Sequence, residues 1–101
     1  MGHTEILQKY KEMGLETEEG SVEPNFVYPP HHHGTTHLYI TAGSVTLKRD
    51  RDNGFITYTQ GSEFVVDDGE YHEGQAGKDG YSFIAGWNEQ EYQKYPEDQW
   101  Y

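Results

Sequence analysis

Four of the six histidines in this sequence lie within seven positions, in the segment YPPHHHGTTH at residues 28–37. They are His31, His32, His33 and His37. In an extended strand residues i and i+2 point to the same side, so His31 and His33 would share a face and His32 would point away from it. Two neighbouring imidazoles are part of many transition-metal sites, although tandem histidines in a loop are also often plain surface residues. A metal site here needs further ligands from elsewhere in the chain.

A second segment, GSEFVVDDGEYHEG, supplies one more histidine, His72. Its pattern predicts a strand over residues 63–67, a tight turn at Asp68 and Gly69, and a second strand that carries His72. The chain has no cysteine, so any metal must be bound by nitrogen and oxygen ligands. Asp67 and Glu73 lie near His72 and are candidates for a general base or a supporting hydrogen bond, although such carboxylates are more often only solvated.

Short runs rich in β-branched and aromatic residues surround these histidines from residue 25 onward. The candidate strands are NFVY, HLYITA, SVTLKRD, FITYT, EFVVD, YHEGQA and YSFIAGW. RDNG at 51–54 predicts a hairpin in which Asn53 and Gly54 both take positive φ, and QGSE, DDGE and GKDG predict further turns. The spacing leaves no room for crossover helices, so the sequence predicts antiparallel sheets in a sandwich or barrel.

The two ends of the chain differ from this β-rich middle. Apolar residues at helical spacing in TEILQKYKEMGL predict a short N-terminal helix over residues 4–15, capped by Thr4. The acidic segment ETEEGSVEPN predicts an exposed connector. The C-terminal NEQEYQKYPEDQWY is polar with interspersed aromatics, and packing outside the barrel, covering a sheet edge or joining a partner chain all remain open. We expect one domain over residues 1–101, with a helix and connector at 1–21, a barrel at 22–87 and a tail at 88–101.

Composition narrows the classes of function. Eighteen acidic and seven basic residues give a net charge of −11, which repels phosphate and argues against a nucleic-acid partner. No apolar run has the length of a membrane span and no leader pattern is present, so we expect a cytoplasmic soluble protein without a membrane partner. Tyr, Phe and Trp make up 15% of the residues, which is typical of a small folded β domain and not of a disordered chain.

Together, the two histidine segments resemble the paired motifs of small single-domain cupins, G(X)5HXH(X)3-4E(X)6G and G(X)5PXG(X)2H(X)3N. His31 and His33 match the HXH pair, while Gly61, Gly69 and His72 match the second motif with its spacing. The resemblance implies an all-β fold of the cupin type, a double-stranded β-helix or jelly-roll barrel, preceded here by a short N-terminal helix. It also implies a metal site in the barrel mouth.

Some positions depart from these motifs within residues 22–87, the part of the chain that the resemblance covers. Asn25 stands at the first Gly position, and Asp67 and Ala76 stand where the second motif has Pro and Asn. No Glu follows the HXH pair.

The position at which cupins carry this ligand Glu is ambiguous by one residue. Counting forward from His33 places His37 there, whereas counting back from Gly43 places Thr36 there. A shift of one residue exchanges the two faces of a strand, so only one of them can point inward unless a bulge intervenes. We favour His37, because Thr is a poor metal ligand and the preceding loop can absorb one residue.

The resemblance therefore implies an all-imidazole site made of His31, His33, His37 and His72. Neutral imidazole suits divalent Fe, Mn, Ni, Zn or Cu, so the ligands do not select one metal. With His in place of Glu the ion keeps its full formal charge of two, which favours an anionic, oxygen-bearing substrate or ligand. Three-His and four-His cupins include dioxygenases, so a metal-dependent dioxygenase is the function that the resemblance implies.

Other interpretations of the same residues stay open. They are a metal-dependent isomerase, a non-catalytic module that binds a metal or small ligand, and a histidine cluster held only by hydrogen bonds. No catalytic residue can be named. We expect a homodimer, because pairing would cover the exposed sheet edges of a small barrel. His3 and His32 are interpreted as surface residues. The tyrosines of the candidate strands are cavity or core residues, and they are Tyr28, Tyr39, Tyr58, Tyr71 and Tyr81.

Overall fold

The structure is a computed structural model that describes residues 2–94. Within this range the elements are α1 (His3–Glu12), β1 (Glu16–Val22), β2 (Val27–His31), β3 (Thr36–Arg49), β4 (Ile56–Thr59), β5 (Glu63–Val66), β6 (His72–Trp87) and α2 (Glu89–Tyr92). All pairs formed by these strands are antiparallel. The predicted all-β fold with a short N-terminal helix is confirmed. Of the tail predicted at 88–101, residues 95–101 lie outside the described residues.

The two long strands, β3 and β6, pair with each other along most of their length and each contribute to two layers. One half of each forms a first layer in the order β1-β6-β3-β5, and the other half forms a second layer in the order β2-β6-β3-β4. The strands pass from one layer to the other at Gly43 and Gly80, which have φ of +75° and +72°. A Cβ on Gly43 would collide with the carbonyl oxygen of Gly80, so the crossing requires glycine.

The hydrophobic core lies between these two layers, because one cluster of buried residues contains side chains from both. Its members are Tyr28, Leu38, Ile40, Val45, Leu47, Phe64, Val66, Ala76, Tyr81, Phe83 and Ala85. A second, smaller cluster lies on the outer face of the first layer, where Ile6 and Tyr10 of α1 pack against Ile84 of β6. The helix therefore covers the first layer, and the barrel interior is filled by alternate residues of the strands.

The N-terminal third corrects two predictions. Helix α1 begins at His3, and its N-cap is Gly2. Among residues 2–94 no side chain donates or accepts a capping hydrogen bond at this end, so the prediction that Thr4 caps the helix is wrong. The acidic segment is not a connector but strand β1, paired with β6 over its whole length. Its backbone makes the pairing while glutamates occupy exposed positions, and charged side chains are typical of an edge strand.

The predicted hairpins are partly correct. Strands β3 and β4 form the hairpin around RDNG, with Leu47 paired to Ile56. Among residues 2–94, neither Asn53 nor Gly54 has a positive φ, so the predicted two-residue turn is wrong. The strands are joined instead by a longer loop, residues 50–55. The GKDG segment lies within β6, at the point where the pairing with β3 shifts register between Val45↔Ala76 and Gly43↔Tyr81, and it contains the positive-φ Gly80.

In the part of the chain that the structure describes, no helix is both long and apolar enough to cross a membrane.

Candidate metal centre

Three of the four predicted ligands lie together at one end of the barrel, where β2 leads into β3. His31 ends β2, His72 begins β6, and the two are paired across the strands. His33 lies in the loop before β3. One ring nitrogen of each histidine lies within 4.8 Å of one on each of the other two. Their side chains are almost fully buried, with exposed fractions of 4%, 2% and 0% for His31, His72 and His33.

Backbone carbonyls fix the orientation of all three rings. The Nδ1 atoms of His31, His33 and His72 lie 2.7, 2.8 and 3.0 Å from the carbonyl oxygens of Pro29, Gly34 and Glu70, respectively. A carbonyl oxygen can only accept, so each Nδ1 carries the proton and donates it, and Nε2 of the neutral ring carries the lone pair. Histidines that bind metals use the same arrangement, in which one nitrogen donates to the protein and the other faces the ion.

Two of the three rings, those of His33 and His72, are electrically neutral at physiological pH. Burial, with a smaller contribution from repulsion by the neighbouring histidines, lowers the pKa of each to about 4. The Nε2 atom of His33 is buried, and no hydrogen-bond partner for it lies among residues 2–94. Burying such an acceptor without a partner costs roughly 1–3 kcal/mol, and a divalent ion bound to its lone pair would remove that cost. The donor set therefore fits a transition-metal ion.

His37 does not belong to this cluster, which corrects its prediction as a fourth ligand. Along β3, Thr36 and Leu38 are buried in the interior, so the intervening His37 points to the opposite face. Its ring lies 5.6 Å from the ring of Tyr10 in α1. Counting back from Gly43 gives the inward position, Thr36, and residues 36–40 alternate regularly between the two faces before the register shifts between Ile40 and Ala42.

Comparisons with solved structures support the fold. No family model matches the sequence, and no curated protein does. Among solved structures, an RmlC-like cupin family protein with a double-stranded β-helix fold, mj0764 from Methanocaldococcus jannaschii, aligns with a TM-score of 0.65. The match covers 79% of this chain and 72% of that chain at 18% identity. The chain has the cupin fold.

Two further solved structures align with most of this chain. A substitution variant of oxalate decarboxylase from B. subtilis aligns with a TM-score of 0.64 at 19% identity, over 73% of this chain and 21% of that chain. The Fe(II) form of HppE aligns with a TM-score of 0.60 at 18% identity, over 77% of this chain and 45% of that chain. At these identities the likeness establishes the fold and leaves the reaction open.

One departure from the cupin motifs, Asn25, has a conformational explanation. Asn25, at the first Gly position, has φ of 62°, and Asn tolerates this left-handed region better than most residues. Gly61 and Gly69 of the second motif have φ of 90° and 76°. The backbone shape that the motif glycines provide is therefore kept at all three positions.

Thr36 occupies the cupin Glu position, but its hydroxyl does not face the ligand nitrogens. It is fully buried, its Oγ1 donates to the Gly34 carbonyl at 3.1 Å, and it lies 3.3 Å from Nδ1 of His33. Nδ1 is on the side of the ring away from the lone pair of Nε2. Within residues 2–94 the group that could hold an ion thus consists of three histidines, with no fourth side chain in the place of Glu.

Tyr92 is a site residue that the sequence did not reveal. It lies in the four-residue helix α2, is 8% exposed, and stacks on His33 with ring centroids 5.4 Å apart and planes inclined by 13°. A single turn of helix in a polar segment has no periodic pattern, so nothing in the sequence indicated that this residue is buried.

The remaining candidates divide between the interior and the surface. Tyr28 and Tyr81 are buried, their phenol oxygens are 2.6 Å apart, and the Tyr28 ring lies 6.0 Å from that of His31. His32 is half-buried and does not belong to the cluster, and its ring lies 4.4 Å from that of the exposed Tyr71 at an inclination of 35°.

The two carboxylates near His72 are not directed at the ligand nitrogens. Asp67 is exposed and pairs with Arg51. Glu73 borders a cavity of about 110 Å³ that reaches His72 from the protein surface. The other residues around this cavity are Pro30, Lys48, Asp50 and Tyr71.

Proposed function

We propose that the protein binds one divalent transition-metal ion through the Nε2 atoms of His31, His33 and His72. The observation that carries the proposal is the convergence of three buried imidazoles whose Nδ1 atoms all donate to backbone carbonyls. A histidine cluster held only for packing would not require each ring to present its lone pair toward its neighbours. The lowered pKa values of His33 and His72 keep the lone pairs available at neutral pH.

A metal ion with three protein ligands has coordination positions left to which a small molecule can bind. Structural metal sites are usually closed by four protein ligands, whereas catalytic sites keep a position open. The bound ion would supply Lewis acidity and, with three neutral ligands, its full formal charge of two. We therefore propose a small, oxygen-bearing and preferably anionic molecule as the ligand or substrate.

The residues of this chain would bind, shield and orient that molecule. The three imidazoles are at most 4% exposed, so bulk water is largely excluded from the site. The Tyr28 phenol, next to His31 and hydrogen-bonded with Tyr81, provides a buried hydroxyl on the barrel side. We propose a metal-dependent dioxygenase as the activity, since three protein ligands on a six-coordinate ion leave room for a bidentate substrate and a second small molecule.

Metal binding is tested with protein purified without a nickel column. Elemental analysis, followed by titration with Fe²⁺, Mn²⁺, Co²⁺ and Zn²⁺ against a competing chelator, is expected to give one ion per chain. His72→Ala should weaken binding at least about 100-fold, and the matched control His37→Ala should leave it unchanged, because that ring is on the opposite face of β3. Absence of stoichiometric binding to the wild type would contradict the proposal, and equal losses in both variants would restore His37 as a ligand.

The activity is tested by oxygen uptake of the iron-loaded protein with a panel of diketones, thiols and catechols. A dioxygenase consumes one dioxygen per product formed, and His33→Ala should abolish the uptake. An isomerase would convert its substrate without oxygen uptake. Silence across the panel, with iron stoichiometrically bound, would refute the dioxygenase proposal for these substrates.

A non-catalytic metal-binding or ligand-binding module is the second candidate. It is favoured by the near-complete burial of the three histidines and by the packing of α2 over His33, which restrict access to the ion. Such a module predicts tight metal binding and slow metal exchange without turnover.

A further inference from the structure

His33 differs from the other two proposed ligands in how its backbone is held. His31 and His72 are strand residues that pair with each other, so the sheet fixes their positions. His33 lies in the short segment between β2 and β3. Its backbone carbonyl accepts a hydrogen bond, at 2.9 Å, from the amide of Gly69 in the turn between β5 and β6. A ligand on a loop needs support from side chains if its ring is to keep one orientation.

Thr36 provides the first part of that support. The Gly34 carbonyl oxygen accepts hydrogen bonds both from Nδ1 of His33, at 2.8 Å, and from Oγ1 of Thr36, at 3.1 Å. The shared acceptor ties the imidazole to the first residue of β3. Since Thr36 is paired with Val66 of β5 and Trp87 of β6, the orientation of the loop histidine is coupled to the first layer of the barrel.

Tyr92 provides the second part. Its ring lies parallel to the His33 ring, and its phenol is hydrogen-bonded with Thr36. Helix α2 is itself fastened to the loop, because Oε1 of Glu91 accepts from the Thr35 amide at 3.0 Å. A Cβ on Gly34 would lie 2.8 Å from the backbone of Glu91 and Tyr92, so the helix rests directly against the loop backbone.

We infer that Thr36 and Tyr92 are positioning residues for His33, and that they hold its ring so that Nε2 faces His31 and His72. Thr36 stands where cupins carry a ligand Glu, and in this chain that position supports a ligand instead of being one. The inference rests on the proposed metal site. Removing a group that orients a metal-binding histidine typically weakens metal binding about 10-fold to 100-fold.

Two pairs of variants separate orientation from packing. Thr36→Val keeps the shape of the side chain but lacks the hydroxyl, and Thr36→Ser restores the hydroxyl. Tyr92→Phe keeps the stacked ring but lacks the phenol, and Tyr92→Leu lacks both. We expect Co²⁺ affinity, measured by chelator competition, to fall about 10-fold to 100-fold in Thr36→Val and to return to within about 3-fold of the wild type in Thr36→Ser. It should fall more in Tyr92→Leu than in Tyr92→Phe.

Two spectroscopic measurements report on the ring itself. The visible absorption of bound Co²⁺ should change in Thr36→Val and be restored in Thr36→Ser. In the metal-free protein, the Nδ1–H proton of His33 should exchange with solvent faster in Thr36→Val than in the wild type, which NMR detects without any metal. Ile84→Val, a buried change under α1 and away from the cluster, is the control for general loss of stability.

The outcomes keep this inference distinct from the proposed function. If the wild type binds no metal, the proposed function fails, while the proton-exchange comparison still decides whether Thr36 orients His33. If the wild type binds Co²⁺ and Thr36→Val has the same affinity, spectrum and exchange rate, the inference is overturned. Equal losses in Thr36→Val and Thr36→Ser also overturn it, because the hydroxyl would then not be responsible. Should Thr36→Val not fold, Tyr92→Phe compared with Tyr92→Leu gives the same decision.

Discussion

Acidifying the metal-free protein from pH 7 to pH 5 is expected to destabilise the fold through His33 and His72. Burial lowers the pKa of each from its usual 6.5 to about 4. Because the pKa values are lower in the folded state, the unfolded chain takes up protons first as the pH falls. The stabilising contribution is therefore fully present above pH 6.5 and is lost progressively as the pH falls toward 4.

The size of the effect follows from these values. At pH 5 an unfolded histidine is almost fully protonated, while a folded histidine with a pKa of about 4 is still mostly neutral. Linkage then gives a loss of roughly 2 kcal/mol for each histidine between pH 7 and pH 5, or roughly 4 kcal/mol for the pair. This is a large share of the roughly 5–15 kcal/mol by which folded domains are typically stable.

Urea denaturation at pH 7 and pH 5, in the presence of a chelator and followed by tyrosine and tryptophan fluorescence, measures this difference. His72→Gln removes one titrating ring and should reduce the difference between the two pH values by roughly 2 kcal/mol. Ile84→Val should lower stability equally at both pH values and leave the difference unchanged. A wild-type difference below about 1 kcal/mol, or no change in His72→Gln, would refute the reasoning that buried neutral histidines dominate acid sensitivity.

Four further outcomes are expected. A divalent metal at about 100 times its dissociation constant should stabilise the wild type by about 2.7 kcal/mol in a denaturation experiment and leave His33→Gln unchanged. Gly43→Ala should cost more than about 2 kcal/mol in urea denaturation because of positive φ and the collision with Gly80, whereas Gly14→Ala, with positive φ in open space, should cost about 1 kcal/mol. Tyr10→Phe should lose roughly 1 kcal/mol by the same measurement, since its hydroxyl donates to Glu63 at 2.8 Å; no loss would show that this bond contributes nothing. We also propose a homodimer, so sedimentation should give twice the chain mass of 11.7 kDa, and a monomer at high concentration would contradict this.

The sequence was sufficient to predict which three histidines lie together. The alternation of side chains along a strand separated His31 and His33 from His32, and the spacing from Gly61 through Gly69 identified His72. These features are local, since each depends on a few residues whose backbone shape is set by a turn or a strand. Local rules therefore located the site.

The fourth position could not be predicted from ligand chemistry, because the register of β3 is set elsewhere. The imidazole makes His37 the better ligand by chemistry, but the burial of Thr36 and Leu38 places His37 on the opposite face of β3. Gly43 and Gly80 are 37 residues apart in the chain, so their tight contact is a tertiary feature. No local sequence pattern indicates it. The motif glycine Gly43 indicated the inward-facing position better than the ligand chemistry of His37 did.

The misjudged segments share a physical cause. Strand β1 is acidic, yet it lies in the sheet because its backbone pairs with β6 over its whole length. Tyr92 is buried only because Gly34 allows α2 to lie against the loop. In each case tertiary contacts override the local preference of the residues.

The exchange of a carboxylate for Thr36 changes the charge balance of the site and not only its ligand count. Among residues 2–94 the cluster that could hold an ion consists of histidines, whose rings supply no negative charge to offset that of the ion. An ion bound there keeps its charge of two inside a buried environment, where an unbalanced charge is costly. An anionic oxygen ligand would offset that cost, so its binding should strengthen metal binding and metal should strengthen its binding by the same factor. Measuring Zn²⁺ affinity with and without a small dicarboxylate tests this coupling, and equal affinities would show that the charge is balanced by some other part of the protein.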